Sequence, residues 1–153
     1  MTIETVHTAK ATAFTELVLE VFRLNGALLA VGDELGADLG LSSARWQVMG
    51  ALADEAQTVP QIARAMGLTR QGVQRTVNLL LEEGLVEQRD NPQHKRARLV
   101  DLSALGRRQF EAISARQRHW ANRVAEPEKL AELQAALAVL RRLHAAVTSS
   151  DGS

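Results

Sequence analysis

The stretch from Thr58 to Ser103, TVPQIARAMGLTRQGVQRTVNLLLEEGLVEQRDNPQHKRARLVDLS, constrains the fold more than any other part of the chain. Thr58-Val-Pro-Gln61 has the form of a capping box, with Pro60 in the first turn, where a missing N–H costs little. Ile62, Ala63 and Met66 then give a short helix one inward face. Gly67 permits a sharp turn. Thr69 opens a second helix running to Glu83, and Val73, Val77, Leu80 and Leu81 recur at the spacing of a buried stripe. Gly84 stops it, with Leu85 packing back. Val86 to Arg89 and Arg98 to Leu102 read as strands, joined through the turn residues Asp90-Asn91-Pro92. Helix, turn, helix and basic hairpin in this order are the pattern of a winged helix-turn-helix, whose second helix can enter a DNA major groove.

The flanks are helical. From about residue 9 to 37, Phe14, Leu17, Val18, Val21, Phe22, Leu28 and Leu29 recur at three- and four-residue steps, with Glu16, Glu20, Asp33 and Glu34 on wet faces. Gly36 and Gly40 end this segment. Ser42 is an N-cap for the next helix, whose apolar face is Trp46, Met49, Leu52 and Ala53 and which stops by Asp54-Glu55. After the hairpin, Ser103 caps a long helix with Phe110, Ile113, Trp120 and Val124 as buried positions. Glu126-Pro127 breaks it. A last helix, about 128 to 147, carries Leu130, Leu133, Leu137, Leu140, His144 and Val147 at heptad steps. Residues 148–153 read as a frayed tail. The expected fold is mainly α with a small β-hairpin wing: a winged helix-turn-helix plus N- and C-terminal dimerisation helices. The expected segments are 1–40 for the N-terminal dimerisation helix, 41–103 for the DNA-binding domain and 104–153 for the C-terminal dimerisation helices, all in one compact subunit.

Composition narrows the function. Aromatic residues are 3% of the 153, so aliphatic side chains and alanines must fill the core. The absence of cysteine excludes disulfides, thiolate metal sites and thiol redox sensing. His7, His94, His119 and His144 lie far apart without ligand spacing, so no metal or cofactor is expected. Gly-rich phosphate loops, a serine nucleophile elbow and His-Glu-x-x-His are missing, which argues against an enzyme. The start, MTIETVHTAK, has no basic segment leading into an apolar run, and the longest apolar run of the first helix is Ala27 to Val31. A soluble, cytoplasmic protein with no membrane partner is expected.

Net charge is zero, yet it is unevenly spread: residues 1–57 carry −5 and residues 104–153 carry +3. Residues 64–78 hold three arginines and no acid. Local charge decides where a phosphate backbone docks. On the helix after Thr69, a 100° step per residue sets Arg70, Gln71, Gln74, Arg75 and Asn78 opposite the apolar stripe. Arginine reads guanine O6 and N7 with two hydrogen bonds, and Gln or Asn does the same for adenine N6 and N7. Thr69 and the free N–H groups of the first turn suit a phosphate. In the hairpin, Arg96 is the candidate for minor-groove insertion and Lys95, Arg89 and Arg98 add positive charge, with Lys95 and Arg89 assigned to phosphates. The blander alternatives are a solvated helix face and an ordinary hydrophilic turn.

The run from Leu41 to Gly106 resembles the MarR family. The matching residues are Leu41-Ser42-x-x-Arg45-Trp46-x-Val48-Met49, then Ile62-Ala63-x-x-Met66-Gly67-Leu68, then Val73-x-x-x-Val77-x-x-Leu80-x-x-x-Gly84-Leu85-Val86. The hairpin matches at Asn91-Pro92-x-x-Lys95-Arg96-Ala97-x-Leu99-Val100-x-Leu102-Ser103-x-x-Gly106. The resemblance implies a homodimer built from the first and last helices, binding double-stranded DNA at a near-palindromic operator, usually as a repressor. It also implies a small aromatic or phenolic effector in a crevice beside the dimer helices. Phe22, Arg45, Trp46, Met49, His119 and Trp120 are the candidates to line it. Plain core packing, or a surface ion pair for Arg45, is the alternative. The family's wing usually has Asp before the basic pair, where this chain has His94. That substitution leaves open both an inert change and a pH-sensitive wing. The competing reading of the whole is a winged-helix module that binds another protein rather than DNA, which the polar face at 70–78 argues against.

Overall fold

The computed structural model describes residues 6–149. Helix α1 spans Ala9–Gly36, capped by the Thr8 side chain, and passes through a short 3-10 turn, Ala37–Leu39, to Gly40 at φ +68°. Helices α2 (Ser43–Ala51), α3 (Val59–Met66) and α4 (Arg70–Glu82) follow. Strands β1 (Val86–Arg89) and β2 (Leu99–Leu102) form the hairpin, and α5 (Ala104–Ala125) and α6 (Leu130–Ser149) complete the chain. The architecture is the expected one, mainly helical with a two-stranded wing.

Local chemistry sets most boundaries. The Ser42 hydroxyl accepts from the Arg45 N–H, and both halves of the Thr58–Gln61 capping box are formed, at 3.4 and 2.9 Å. Gly67 at φ +64° ends α3, and its N–H and that of Leu68 both donate to the Ala63 carbonyl. The wing strands pair antiparallel, Val86 with Leu102 and Arg89 with Leu99. Gln57 adds an isolated bridge to Val100, extending the hairpin toward the α2–α3 loop.

Leu41, Val48, Met49, Leu52, Ile62, Val73, Val77, Leu80, Val100 and Ile113 form the fully buried core. The first turns of α5 close onto it. Ser103 donates its hydroxyl to the Gly84 carbonyl at 2.6 Å and accepts from the Gly106 N–H at 3.0 Å. Gly106 lies so close to the Leu85 backbone that an added Cβ would stand 3.0 Å from the Leu85 carbonyl carbon.

Several expectations are corrected. Helix α2 ends at Ala51, before Asp54-Glu55, and β2 begins at Leu99 rather than Arg98. Helix α6 runs from Leu130 through Ser149, so Thr148 and Ser149 are helical, their hydroxyls bonded back to carbonyls of the preceding turn. The rest of the expected tail, and the first five residues of the start read for a leader, lie outside the described residues. Of the four positions expected to be buried on α5, Ile113 is, Phe110 and Trp120 are half-buried, and Val124 is exposed. Periodicity locates an apolar stripe but not what covers it. Asp33 is exposed as expected, and its carboxylate also accepts from the Ser43 N–H at 2.7 Å.

The chain divides into two compact units inside α5, between Arg116 and Gln117. The division differs from the segment boundaries at 40/41 and 103/104. The end of α1 and the first half of α5 pack into the winged core, as Gly36 against Leu41 and Ile113 shows. At that point the Arg116 guanidinium donates to the Leu35 carbonyl and both Asp38 oxygens.

Candidate nucleic-acid interface

Helix α4 is amphipathic as expected. Val73, Val77 and Leu80 are wholly buried, while Arg70, Gln71, Gln74, Arg75 and Asn78 are exposed. The Thr69 hydroxyl caps the helix by accepting from the Gly72 N–H at 3.0 Å, leaving its own O–H to donate elsewhere. Gln74 donates to the Asn78 side-chain oxygen at 2.9 Å. That bond leaves the Gln74 carbonyl oxygen and the Asn78 N–H groups unspent, so the pair offers both an acceptor and donors to a base edge.

The wing lies beside this helix. A cleft of about 540 Å³ opens between the start of α3, α4 and the hairpin, lined by Arg70, Gln71, Gln74, Gln88, Arg96 and Arg98 among others. The loop is built by turns: Asn91 accepts from Gln93 through its side chain and from His94 through its carbonyl, and the His94 carbonyl accepts from Ala97. Among the described residues, Arg70, Arg75, Lys95 and Arg96 make no ion pair. They remain available to phosphates or bases. Arg98 faces Asp90 at 3.9 Å, a loose pair with a fully exposed carboxylate, which costs little to break.

Arg89, the other expected phosphate contact, is exposed and has a carboxylate beside it. Alternation along β1 turns it to the face that carries Asp101, and it pairs with that carboxylate at 3.3 Å rather than lining the cleft. Gln88, one residue earlier, lines the cleft instead. Reading the strand from inward-facing Val86 identifies Gln88, but its lack of charge hid it behind Arg89.

The effector candidates scatter across the two units. Within the first, Met49 is wholly buried in the core and Trp46 is half-buried against it. Phe22 is 68% exposed. Arg45 reaches 38 residues along the chain to Glu83, at 2.6 Å from Nη2 and 3.2 Å from Nε, and this pairing raises the guanidinium pKa. It thus ties the start of α2 to the end of α4. In the second unit, His119 is exposed and Trp120 half-buried. Among the described residues no group of three or more His, Asp or Glu could hold a metal ion, and no helix is long and apolar enough to cross a membrane.

Comparison with known proteins agrees with this geometry. The MarR family profile matches residues 39–97, the segment that holds α2 to α4 and most of the wing. Uncharacterized proteins of Mycobacterium bovis and Mycobacterium tuberculosis are 45% identical over 127 residues, 83% of this chain and 89% of theirs. A MarR/EmrR family transcriptional regulator from Acinetobacter sp. ADP1 superposes with a TM-score of 0.80 at 20% identity, covering 88% of this chain and 96% of that one. CouR from Rhodococcus jostii RHA1, solved bound to p-coumaroyl-CoA, superposes with a TM-score of 0.75 at 22% identity, covering 83% and 90%. The family and its solved members of this fold, the Acinetobacter protein among them, are transcriptional regulators, not enzymes. By its buried α4 stripe, its basic hairpin and these likenesses, the chain belongs to the MarR family of transcription regulators.

Proposed function

We propose that the protein binds duplex DNA sequence-specifically as a homodimer on a pseudo-palindromic operator and represses transcription there. The observation that carries this reading is the exposed ridge Arg70, Gln71, Gln74, Arg75 and Asn78, whose two arginines make no ion pair among the described residues. Arg75 and Arg70 are assigned to guanines, Gln71, Gln74 and Asn78 to adenines or phosphates, and Thr69 to a phosphate. Arg96 enters the minor groove and Lys95 meets the backbone, with Arg98 and Gln88 in the cleft behind them.

The dimer rests on apolar surface. On α1, Phe14, Leu17, Val21, Leu24 and Leu28 are each 36–53% exposed at three- and four-residue steps. On α6, Leu130, Leu133, Leu137, Leu140 and Val147 are 41–71% exposed. Two long apolar stripes are too much to leave wet, and pairing between copies is the simplest cover. In this reading segments 1–40 and 104–153 serve dimerisation and 41–103 reads DNA, with two α4 helices facing major grooves about 34 Å apart. Repression is the usual outcome in the family. The protein works in the cytoplasm, where the DNA is. Release by a small aromatic ligand is supported by the p-coumaroyl-CoA complex of CouR.

Selection of bound fragments from random duplex DNA tests the reading. A single near-palindromic consensus is expected, with affinity that falls steeply with salt, as about six to ten phosphate contacts per dimer require. Salt-insensitive binding, or no enriched sequence, refutes it. A thermal-shift series with phenolic acids and p-coumaroyl-CoA tests release.

A further inference from the structure

Asp101 lies at the base of the wing, with its side chain 22% exposed, between two guanidiniums. Arg89 of β1 donates to Oδ2 at 3.3 Å, and Arg107, in the first turn of α5, donates to Oδ1 at 3.3 Å. Arg107 also donates to the Ala53 carbonyl at 3.4 Å, just past the end of α2. One carboxylate therefore joins both wing strands to α5 and, through Arg107, to the α2–α3 loop. The wing holds two other carboxylates, Glu87 and Asp90. Glu87 sits directly across the hairpin from Asp101, a like-charge placement that is unfavourable unless cations flank it. Among the described residues Glu87 makes no ion pair, and Asp90 forms its ion pair with Arg98 loosely, at 3.9 Å.

A carboxylate beside a DNA-binding face repels phosphate, so on charge alone Asp101 weakens binding. Its contacts point the other way. The hairpin has only two strands of four residues each, which is marginal without outside support. His94, next to the basic tip, supplies no carboxylate to steady Arg96.

We propose that Asp101 is the positioning residue of the wing: through Arg89 and Arg107 it fixes the hairpin on α5, so that Arg96 meets DNA at a set angle. The proposal rests on the DNA-binding reading above for its effect, though not for the clamp itself. Asp101→Asn removes the charge and keeps an oxygen that can accept from the Leu102 N–H, now at 2.9 Å. It is expected to weaken operator binding about three- to tenfold, the size of two partly exposed ion pairs. Glu87→Gln deletes the same charge one cross-strand step away and is expected to bind as tightly as wild type or more so. In the Asp101→Asn background the penalty of Arg96→Ala should shrink, although the two residues do not touch. Amide hydrogen exchange of the free protein is expected to quicken across residues 89–99 in Asp101→Asn and Arg107→Ala, but not in Glu87→Gln. If Asp101→Asn behaves like Glu87→Gln in binding and in exchange, the proposal is wrong. If wild type binds no DNA, the DNA-binding reading falls and the exchange result alone decides the clamp.

Discussion

Gly106→Ala is the sharpest probe of how α5 is seated on the winged core. Gly106 is buried, and a methyl group there would enter the Leu85 carbonyl, 3.0 Å from its carbon and 3.4 Å from the Leu85 Cα. The obstacle is backbone, so no rotamer change relieves it. The same Leu85 carbonyl accepts from the Ser103 N–H at 3.0 Å, and that bond must lengthen as α5 is pushed away. Overpacking of this kind costs about 1–3 kcal/mol, and the lost hydrogen bond about 1 more. Alanine's better helix propensity returns roughly 1 kcal/mol. The net loss is about 1–3 kcal/mol, or a Tm fall of roughly 2–12 °C for a chain of this size. Gly26→Ala is the matched control. Gly26 lies inside α1, opposite the apolar seam, and its added Cβ meets nothing within 4 Å. It should gain up to about 1 kcal/mol. Thermal denaturation of both variants at one protein concentration reads the two signs together. Gly106→Ala left unchanged or stabilised, alongside Gly26→Ala, would refute the close-packing argument.

Other expectations follow from the same geometry. Arg75→Ala should cost about 1–3 kcal/mol per half-site and relax base preference at one position, seen by repeating the random-DNA selection. Arg96→Ala should instead weaken most sequences together and lower the salt slope by about one per subunit. Leu137→Asp places a charge in the exposed α6 stripe, and light scattering should then report monomers; a persisting dimer would remove α6 from the interface. Asp38 has a lowered pKa, first because the Arg116 side chain hydrogen-bonds to its carboxylate. A depressed carboxyl contributes stability above its unfolded pKa of about 3.9 and loses it as pH falls through the folded value. Acid titration below pH ~4 should therefore destabilise wild type more than Asp38→Asn, and parallel curves would contradict the pairing.

What the sequence made legible was local. Ser42, Thr58 and Thr69 cap their helices because a short hydroxyl can reach an N–H three residues on, and that needs no knowledge of the fold. Gly67 and Gly84 stop helices for the same kind of reason. The α4 ridge was legible because burial of Val73, Val77 and Leu80 leaves its other face no choice. Long-range pairings were not legible. Arg45 was open to an anion or to a surface ion pair, and only the fold names Glu83, 38 residues away, as its partner. The sequence marked Arg89 by its charge; strand alternation sets it beside Asp101 and places the uncharged Gln88 in the cleft. Val124 sits in a helical stripe, but periodicity alone cannot say whether a stripe meets its own core, a partner or water.

Helix α3 is closed at both ends by its own residues, and only Gly67, Leu68 and Thr69 separate it from α4. With the Gly67 and Leu68 N–H groups both committed to one carbonyl, that joint has little slack, and Arg45 moors the far end of α4 through Glu83. On the DNA-binding reading proposed above, α4 is thus oriented before any duplex arrives. Docking then surrenders scarcely any main-chain freedom, and the entropy lost on contact falls on long side chains and the hairpin loop. Such a reader discriminates by rejecting misfit grooves rather than by moulding itself to them.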